Sequence, residues 1–217
     1  MPQDRPVLRV EGKDDRFVIE NLLSRHGIDH GLVDIKWSKQ GGDDDAGGKD
    51  PLLEGMKLAV TTSTGKAVGF VLDADRTPEA RWRGVRTRLH DVLALPDEIP
   101  EDGFVGDSEA FEARVGVWLM PDNRGSGAIE EFLQGLVDDE DALLQLAETS
   151  TTSASERGAA FPATRRPKAV LHTWLAWQER PGLPYGLAIT ARYLRHDSPA
   201  ALAFVAWFRR VFVPTKT

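Results

Sequence analysis

The chain has 217 residues, of which 41% are apolar, and a formal net charge of −7 at pH 7. That length suits one large domain or one and a half small ones, with apolar content enough for a proper core, and the acidic balance argues against a passive nucleic-acid coat, which is basic overall. There is no cysteine, so disulfides and thiolate zinc sites are excluded and a reducing compartment is the simple reading. No stretch approaches the ~20 apolar residues of a membrane span, and Met1-Pro-Gln-Asp-Arg5 lacks an apolar signal region, so the expected location is cytoplasmic.

In chain order, residues 7–10 read as a short strand running into Glu11-Gly-Lys-Asp-Asp15. Gly12 permits a tight exit. Asp14 or Asp15 starts a helix over 14–26, whose apolar positions Phe17, Val18, Leu22 and Leu23 recur at helical spacing, and Gly27 follows as its C-cap. Residues 33–37 alternate apolar and polar as a second strand. The glycine- and aspartate-rich stretch 40–49 reads as a solvated loop near the same sheet edge. It lacks the Gly-Lys-Ser/Thr ending of a phosphate loop and the spaced acids of a calcium loop. Residues 52–60 form a short amphipathic helix.

Val68-Gly-Phe-Val-Leu72 is an apolar run that reads as a strand buried on both faces, and it ends in Asp73 and Asp75. Side chains two apart on extended backbone point the same way, so the pair can converge on one hard cation. The alternative is a pair of turn or helix-capping acids. Thr77-Pro78 opens another helix carrying Arg81, Arg83, Arg86 and Arg88, either a solvated face or a phosphate-contacting one. Residues 103–106 and 114–120 pair as an antiparallel edge. The second ends at Asp122, and a helix starting near Gly127 carries Glu130 and Glu131. Asp122 could join an acidic cluster and Glu130 could reach back to it. Equally, Asp122 makes a turn and the glutamates favour the helix N-terminus.

Further on, residues 137–148 read as an acidic helix and 149–156 as a polar connector, the candidate boundary. The expected organisation is an α/β unit over 1–136 and a helical region over 137–217 packed on it. In the helix over 168–178, Val170, Leu171, Trp174 and Leu175 pack inward, while His172 is exposed or faces a cleft. Arg165, Arg166 and Lys168 form a basic cluster before it. Residues 187–194 resume helix, and Ser198-Pro199 starts the last helix, with Ala203, Trp207 and Val211 as its stripe, widened by Phe204 and Phe208. The tryptophans read as core rather than as base-stacking platforms.

Taken together, Glu11-Gly12 after a first strand and a later strand ending Leu72-Asp73-x-Asp75 resemble the Toprim domain. That catalytic fold is shared by topoisomerases, bacterial primases, small ribonucleases and the overcoming-lysogenization-defect nucleases. The resemblance covers residues 5–135. The C-terminal part, including Met120-Pro-Asp-Asn123 and the 168–178 stretch, is similar to a family of small bacterial Toprim-like proteins. It implies a mainly parallel α/β sheet flanked by helices, and a site for one or two Mg²⁺ or Mn²⁺ ions made by Glu11, Asp73 and Asp75. In the nuclease branch an acid four residues after the glutamate helps bind metal, and Asp15 stands there. Asp122 and Glu130 are further candidate ligands, and Glu11 is also a candidate general base. Lys168 could supply the cation near the scissile phosphate, with Arg81, Arg83, Arg165 and Arg166 as phosphate clamps.

A topoisomerase needs a nucleophilic tyrosine and a gate domain; only Tyr185 and Tyr193 exist and the chain is short for a gate. A stand-alone primase normally needs a zinc module. The expectation is therefore a metal-dependent nuclease acting on DNA or RNA, resembling effectors that a separate ATPase controls in phage defence. The rival is a non-hydrolytic metal- or nucleotide-binding subunit that docks such an ATPase.

Overall fold

The computed structural model describes residues 5–37 and 51–213. The 40–49 loop lies outside the described residues. The described chain holds β1 (Val7–Val10), α1 (Lys13–Arg25), β2 (Asp34–Trp37), α2 (Pro51–Glu54), α3 (Met56–Thr61), β3 (Ala67–Asp73), α4 (Pro78–Leu89), β4 (Phe104–Ser108) and β5 (Ala113–Met120). It continues with α5 (Ile129–Gln134), α6 (Ala142–Glu156), α7 (Arg166–Leu175), α8 (Tyr185–Thr190) and α9 (Pro199–Phe212).

The five strands form one sheet in the order β2-β1-β3-β5-β4. β1, β2, β3 and β5 run parallel and β4 pairs antiparallel with β5 at the edge. This is the mainly parallel, helix-flanked architecture, with a helical C-terminal region, that the sequence led us to expect. Side chains of a strand alternate between faces, and the cores follow that rule. Val68, Phe70 and Leu72 of β3 join Val115, Val117 and Leu119 of β5 in a core under α2, α3 and α4. Val71, Trp118 and Met120 face the other way, into a core shared with α1, α5, α7, α8 and α9. The C-terminal helices thus share one core with the strands.

α9 lies close on the sheet because two strand positions lack a side chain. A Cβ on Gly116 would stand 2.4 Å from Val211, and one on Gly69 would stand 2.7 Å from Phe212. Trp207 fills the space beside them, fully buried, and its indole N–H donates to the Phe104 carbonyl at 3.0 Å. Each such aromatic contributes roughly 1.5–3 kcal/mol by burial.

Three local expectations are corrected. The helix over 52–60 is two, α2 and α3, separated at Gly55. Residues 149–156 are not a connector but the second half of α6. Asp141 caps that helix, accepting from Leu143 N–H at 2.8 Å and Leu144 N–H at 2.9 Å. Its polar residues are absorbed because Thr149 and Thr152 hydroxyls donate back one turn to the Gln145 and Glu148 carbonyls, both at 2.9 Å, and Ala147 and Thr151 are buried. On α9, Ala203 is exposed; the buried stripe is Ala201, Phe204, Val205, Trp207, Phe208 and Val211. Trp82, Trp118, Trp174 and Trp207 are all buried, whereas Trp177 is 40% exposed.

Candidate active site

The chain passes from β1 to its neighbour β2, then returns to the other side of β1 for β3. The carboxyl ends of β1 and β3 therefore flank the point where strand order reverses, the place where open α/β sheets form a crevice. Glu11 follows β1 directly, and Asp73 is the last residue of β3. Glu11 Oε1 accepts the Asp73 backbone N–H at 2.9 Å, so one strand end holds the other's carboxylate in place.

Gly12 is the N-cap of α1 in extended backbone, so its role is space rather than an unusual turn. A Cβ there would stand 2.9 Å from Asp15 Oδ2. Asp15, in the first turn of α1, folds back toward Gly12, whose backbone N–H, like its own, favours the charged carboxylate. This fold-back buries Asp15 to 6% exposure.

Asp73 and Asp75 differ more than the two-residue spacing suggests. The strand ends at Asp73, and Asp75 takes a left-handed φ of 54°, so the alternation rule stops between them. Asp75 is pinned there by two hydrogen bonds with Gly127, at 2.9 and 2.7 Å. Its side chain is 66% exposed and pairs with Arg81, whose guanidinium is also 3.8 Å from Glu11.

Both Asp73 and Asp75 line a cleft of about 1120 Å³, along with Arg81, Glu130, Arg165 and Lys168. Lys168 lies 3.4 Å from Glu130 and 3.9 Å from Asp14. Burial pushes the Glu11 carboxyl up to about 7, against the opposing pull of the Asp73 N–H and Arg81. Burial likewise raises Asp15 to about 7, with Glu130 and Asp14 adding repulsion. Asp73 is held well above the usual carboxylate range by burial and then by the charges of Glu11, Asp15, Glu130 and Asp75. Asp15 Oδ1 and Asp73 Oδ1 are buried and have no hydrogen-bond partner among the described residues.

The remaining sequence candidates lie elsewhere. Asp122 Oδ1 accepts from the Arg124 N–H at 3.0 Å and the Gly125 N–H at 2.7 Å, the turn alternative read from the sequence, and it is not among the residues lining the cleft. Arg83 is exposed on α4 and outside the lining. Arg166 turns toward α6, donating to Thr152 Oγ1 at 3.1 Å. Glu131, by contrast, does line the cleft, and there it serves α5, accepting from the Ala128 N–H at 2.8 Å. The sequence reading gave Asp14 only a helix-starting role; its position one residue before Asp15 was the available signal for its contact with Lys168.

Among the described residues no three His, Asp or Glu side chains close on one point as a ready-made metal-ligand set. The chemistry nonetheless fits a hard divalent cation. All donors are carboxylate oxygens, which suit Mg²⁺ or Mn²⁺, and two buried oxygens lack a partner. A buried carboxylate without one is costly, and a cation would relieve it.

A family described as "Protein of unknown function (DUF3226)" matches residues 5–213. The chain belongs to this family. No curated protein matches the sequence. Among solved structures it is similar to the C-terminal region of the Burkholderia pseudomallei OLD protein, at 12% identity and a TM-score of 0.46, with 95% of this chain and 97% of that chain covered. It is also similar to the C-terminal region of the Xanthomonas campestris pv. campestris OLD protein, at 13% identity and a TM-score of 0.39, covering 99% and 95%. At values this low, the functional reading rests on the chain's own residues. Among those described, no helix is long and apolar enough to cross a membrane.

Proposed function

We propose that this DUF3226 member is a divalent-metal-dependent nuclease that hydrolyses phosphodiester bonds in DNA or RNA. The carrying observation is the pair of buried carboxylate oxygens, unpartnered among the described residues, on Asp15 in the first turn of α1 and Asp73 at the end of β3, set beside Glu11 and Glu130. Mg²⁺ or Mn²⁺ held by Asp73, Asp15 and Glu11, with Asp75 and Glu130 in reserve, would neutralise phosphate oxygens and lower the pKa of bound water.

The chain's own residues supply the rest. Arg81, Arg165 and Lys168 line the cleft and are positioned to hold phosphate oxygens, arginine by its two-pronged geometry and lysine as a point charge. Lys168 is held by Glu130 and Asp14. Glu11, whose carboxyl burial raises to about 7 in the metal-free chain, would act either as a metal ligand or, where it is not coordinated, as the general base. A separate ATPase partner, control of the site in phage defence and a cytoplasmic setting belong to this proposal through the Toprim resemblance alone.

The test is incubation of the purified chain with supercoiled plasmid, linear DNA and RNA in Mg²⁺, Mn²⁺ and EDTA, with Asp73→Asn and Glu11→Gln alongside. The expected result is metal-dependent cleavage reduced about 10³-fold or more in both variants, the scale of several kcal/mol of transition-state stabilisation. No cleavage by folded wild-type chain, with metal binding intact, would overturn an autonomous nuclease in favour of a partner-gated effector or a docking subunit.

A further inference from the structure

Phe17 shares the helical spacing of Val18 and Leu22 on α1, yet those two are fully buried while Phe17 is 41% exposed. Cations flank its ring: Lys13 Nζ stands 5.7 Å from the centroid and the guanidinium carbon of Arg16 5.9 Å. The same guanidinium lies 5.2 Å from the ring of Trp37, which is partly buried against the core. The order in space is Lys13, Phe17, Arg16, Trp37, with cations and rings in alternation.

We propose that this ladder is a binding track for single-stranded nucleic acid, which takes the strand where it leaves the acidic cleft. The proposal rests on the nuclease reading above and deepens it by naming the substrate as an unpaired strand.

The ladder's place in the fold points to the cleft. Trp37 is the last residue of β2 and pairs in register with Val10, the residue before Glu11. It therefore stands at the same carboxyl edge of the sheet as Glu11 and Asp73, on the neighbouring strand β2. Helical side chains lean toward the N-terminus of their helix, so Phe17 leans over the first turn of α1, toward that edge. Asp14 in that turn lies 3.9 Å from Lys168, which lines the cleft. A strand held on Lys168 meets α1 next.

The chemistry selects the partner. The chain as a whole carries a net charge of −7, which repels a polyanion, whereas the ladder sets two cations within about one helical turn. Lys13 and Arg16 supply phosphate contacts beside the ring. Arg16 is steadied by Glu20 at 2.7 Å and still has 35% of its side chain exposed. An unpaired base offers its π-face to Phe17 whatever its identity, so the track tolerates any sequence. A duplex stacks its bases on one another and offers no such face.

The test uses the full chain carrying Asp73→Asn, expected to cleave too slowly to consume the probe. Fluorescence anisotropy follows oligothymidylate and oligouridylate of about 12 nucleotides and a hairpin duplex of the same length. Both single strands are expected to bind at least tenfold tighter than the duplex. Phe17→Ala and Phe17→Leu are expected to weaken single-strand binding about tenfold, the scale of one lost base stack, while Phe17→Tyr, which keeps the ring, retains it. Arg16→Gln is expected to lower the slope of log affinity against log salt by about 0.7, one phosphate contact on a single strand. Trp177→Ala removes the exposed aromatic of the 166–177 region and is expected to leave binding unchanged.

With Asp73 restored, Phe17→Leu is expected to raise KM for the oligonucleotide about tenfold with kcat kept. Cleavage of the p-nitrophenyl ester of thymidine 5′-phosphate, too short to span cleft and ladder, is expected to be unchanged. No single-strand binding, full binding in Phe17→Leu, an equal loss in Trp177→Ala, or a duplex bound as tightly as the single strands would overturn the track while leaving the metal site standing. Single-strand binding lost in Phe17→Leu, with no metal-dependent cleavage of any substrate by the wild-type chain, would uphold the track and overturn the hydrolytic reading.

Discussion

Two neighbouring parallel strands, β3 and β5, both end in acid, and the chain treats the two ends in opposite ways. After β3, Asp73 stays buried with an oxygen unpartnered among the described residues, and four other carboxylates push against it. After β5, Asp122 is exposed and accepts two backbone N–H bonds, while the next residue, Asn123, is buried and ties the turn to the sheet. Asn123 Oδ1 accepts the Leu119 N–H at 2.8 Å, and its amide donates to the Glu101 carbonyl at 3.2 Å. One strand end satisfies its polar groups and is a scaffold. The other leaves charge uncompensated, which lowers stability and equips it for a ligand.

Breaking the satisfied end should cost the most stability. Asn123→Ala leaves the buried Leu119 N–H without its acceptor and is expected to lose about 2–3 kcal/mol, read as a lower denaturation midpoint, with Mn²⁺ affinity of the folded protein unchanged. A parallel fall in Mn²⁺ affinity would mean that the two ends are not independent.

Relieving the unsatisfied end should act through pH. Glu11 and Asp15 are raised to about 7 by burial in the folded chain, above their ordinary values in the unfolded one. The folded state therefore holds protons that the unfolded state has already released. That stability is present in acid, declines as pH rises through about 7 and is flat beyond. In EDTA the melting temperature is expected to fall between about pH 4.5 and about pH 7, with a shallower fall in Asp73→Asn, which removes one of the mutually repelling charges. Saturating Mg²⁺ should flatten the curve, because a cation favours the charged forms. A wild-type melting temperature in EDTA that is level or rises over this range would remove the claim that the acids are uncompensated.

The smallest effect is expected at Asp122. Asp122→Ala removes two exposed turn bonds and should cost about 1 kcal/mol, measured by urea denaturation, with metal-dependent cleavage kept. Loss of cleavage in that variant, with the fold intact, would return Asp122 to the site.

Local pattern made much of this legible. The apolar run of β3, the helical spacing of α1 and the capped start of α9 each state their structure within a few residues, because backbone periodicity and end-capping are local physics. The order Glu11, then Asp73 and Asp75, pointed to one sheet edge for the same reason: parallel neighbours bring equivalent ends together. The polar run over 149–156 misled, since Thr149 and Thr152 bond back to carbonyls inside α6 and the packing of α6 on α7 buries Ala147 and Thr151. What composition and spacing determined was a mainly parallel α/β sheet with acids at its carboxyl edge. Only the tertiary structure decided that Asp15 is buried while Asp75 is exposed, that Asp122 closes a turn, and that Arg81 rather than Arg83 enters the cleft. Burial and pairing are set by what the rest of the chain packs around a residue, and no window of sequence contains that.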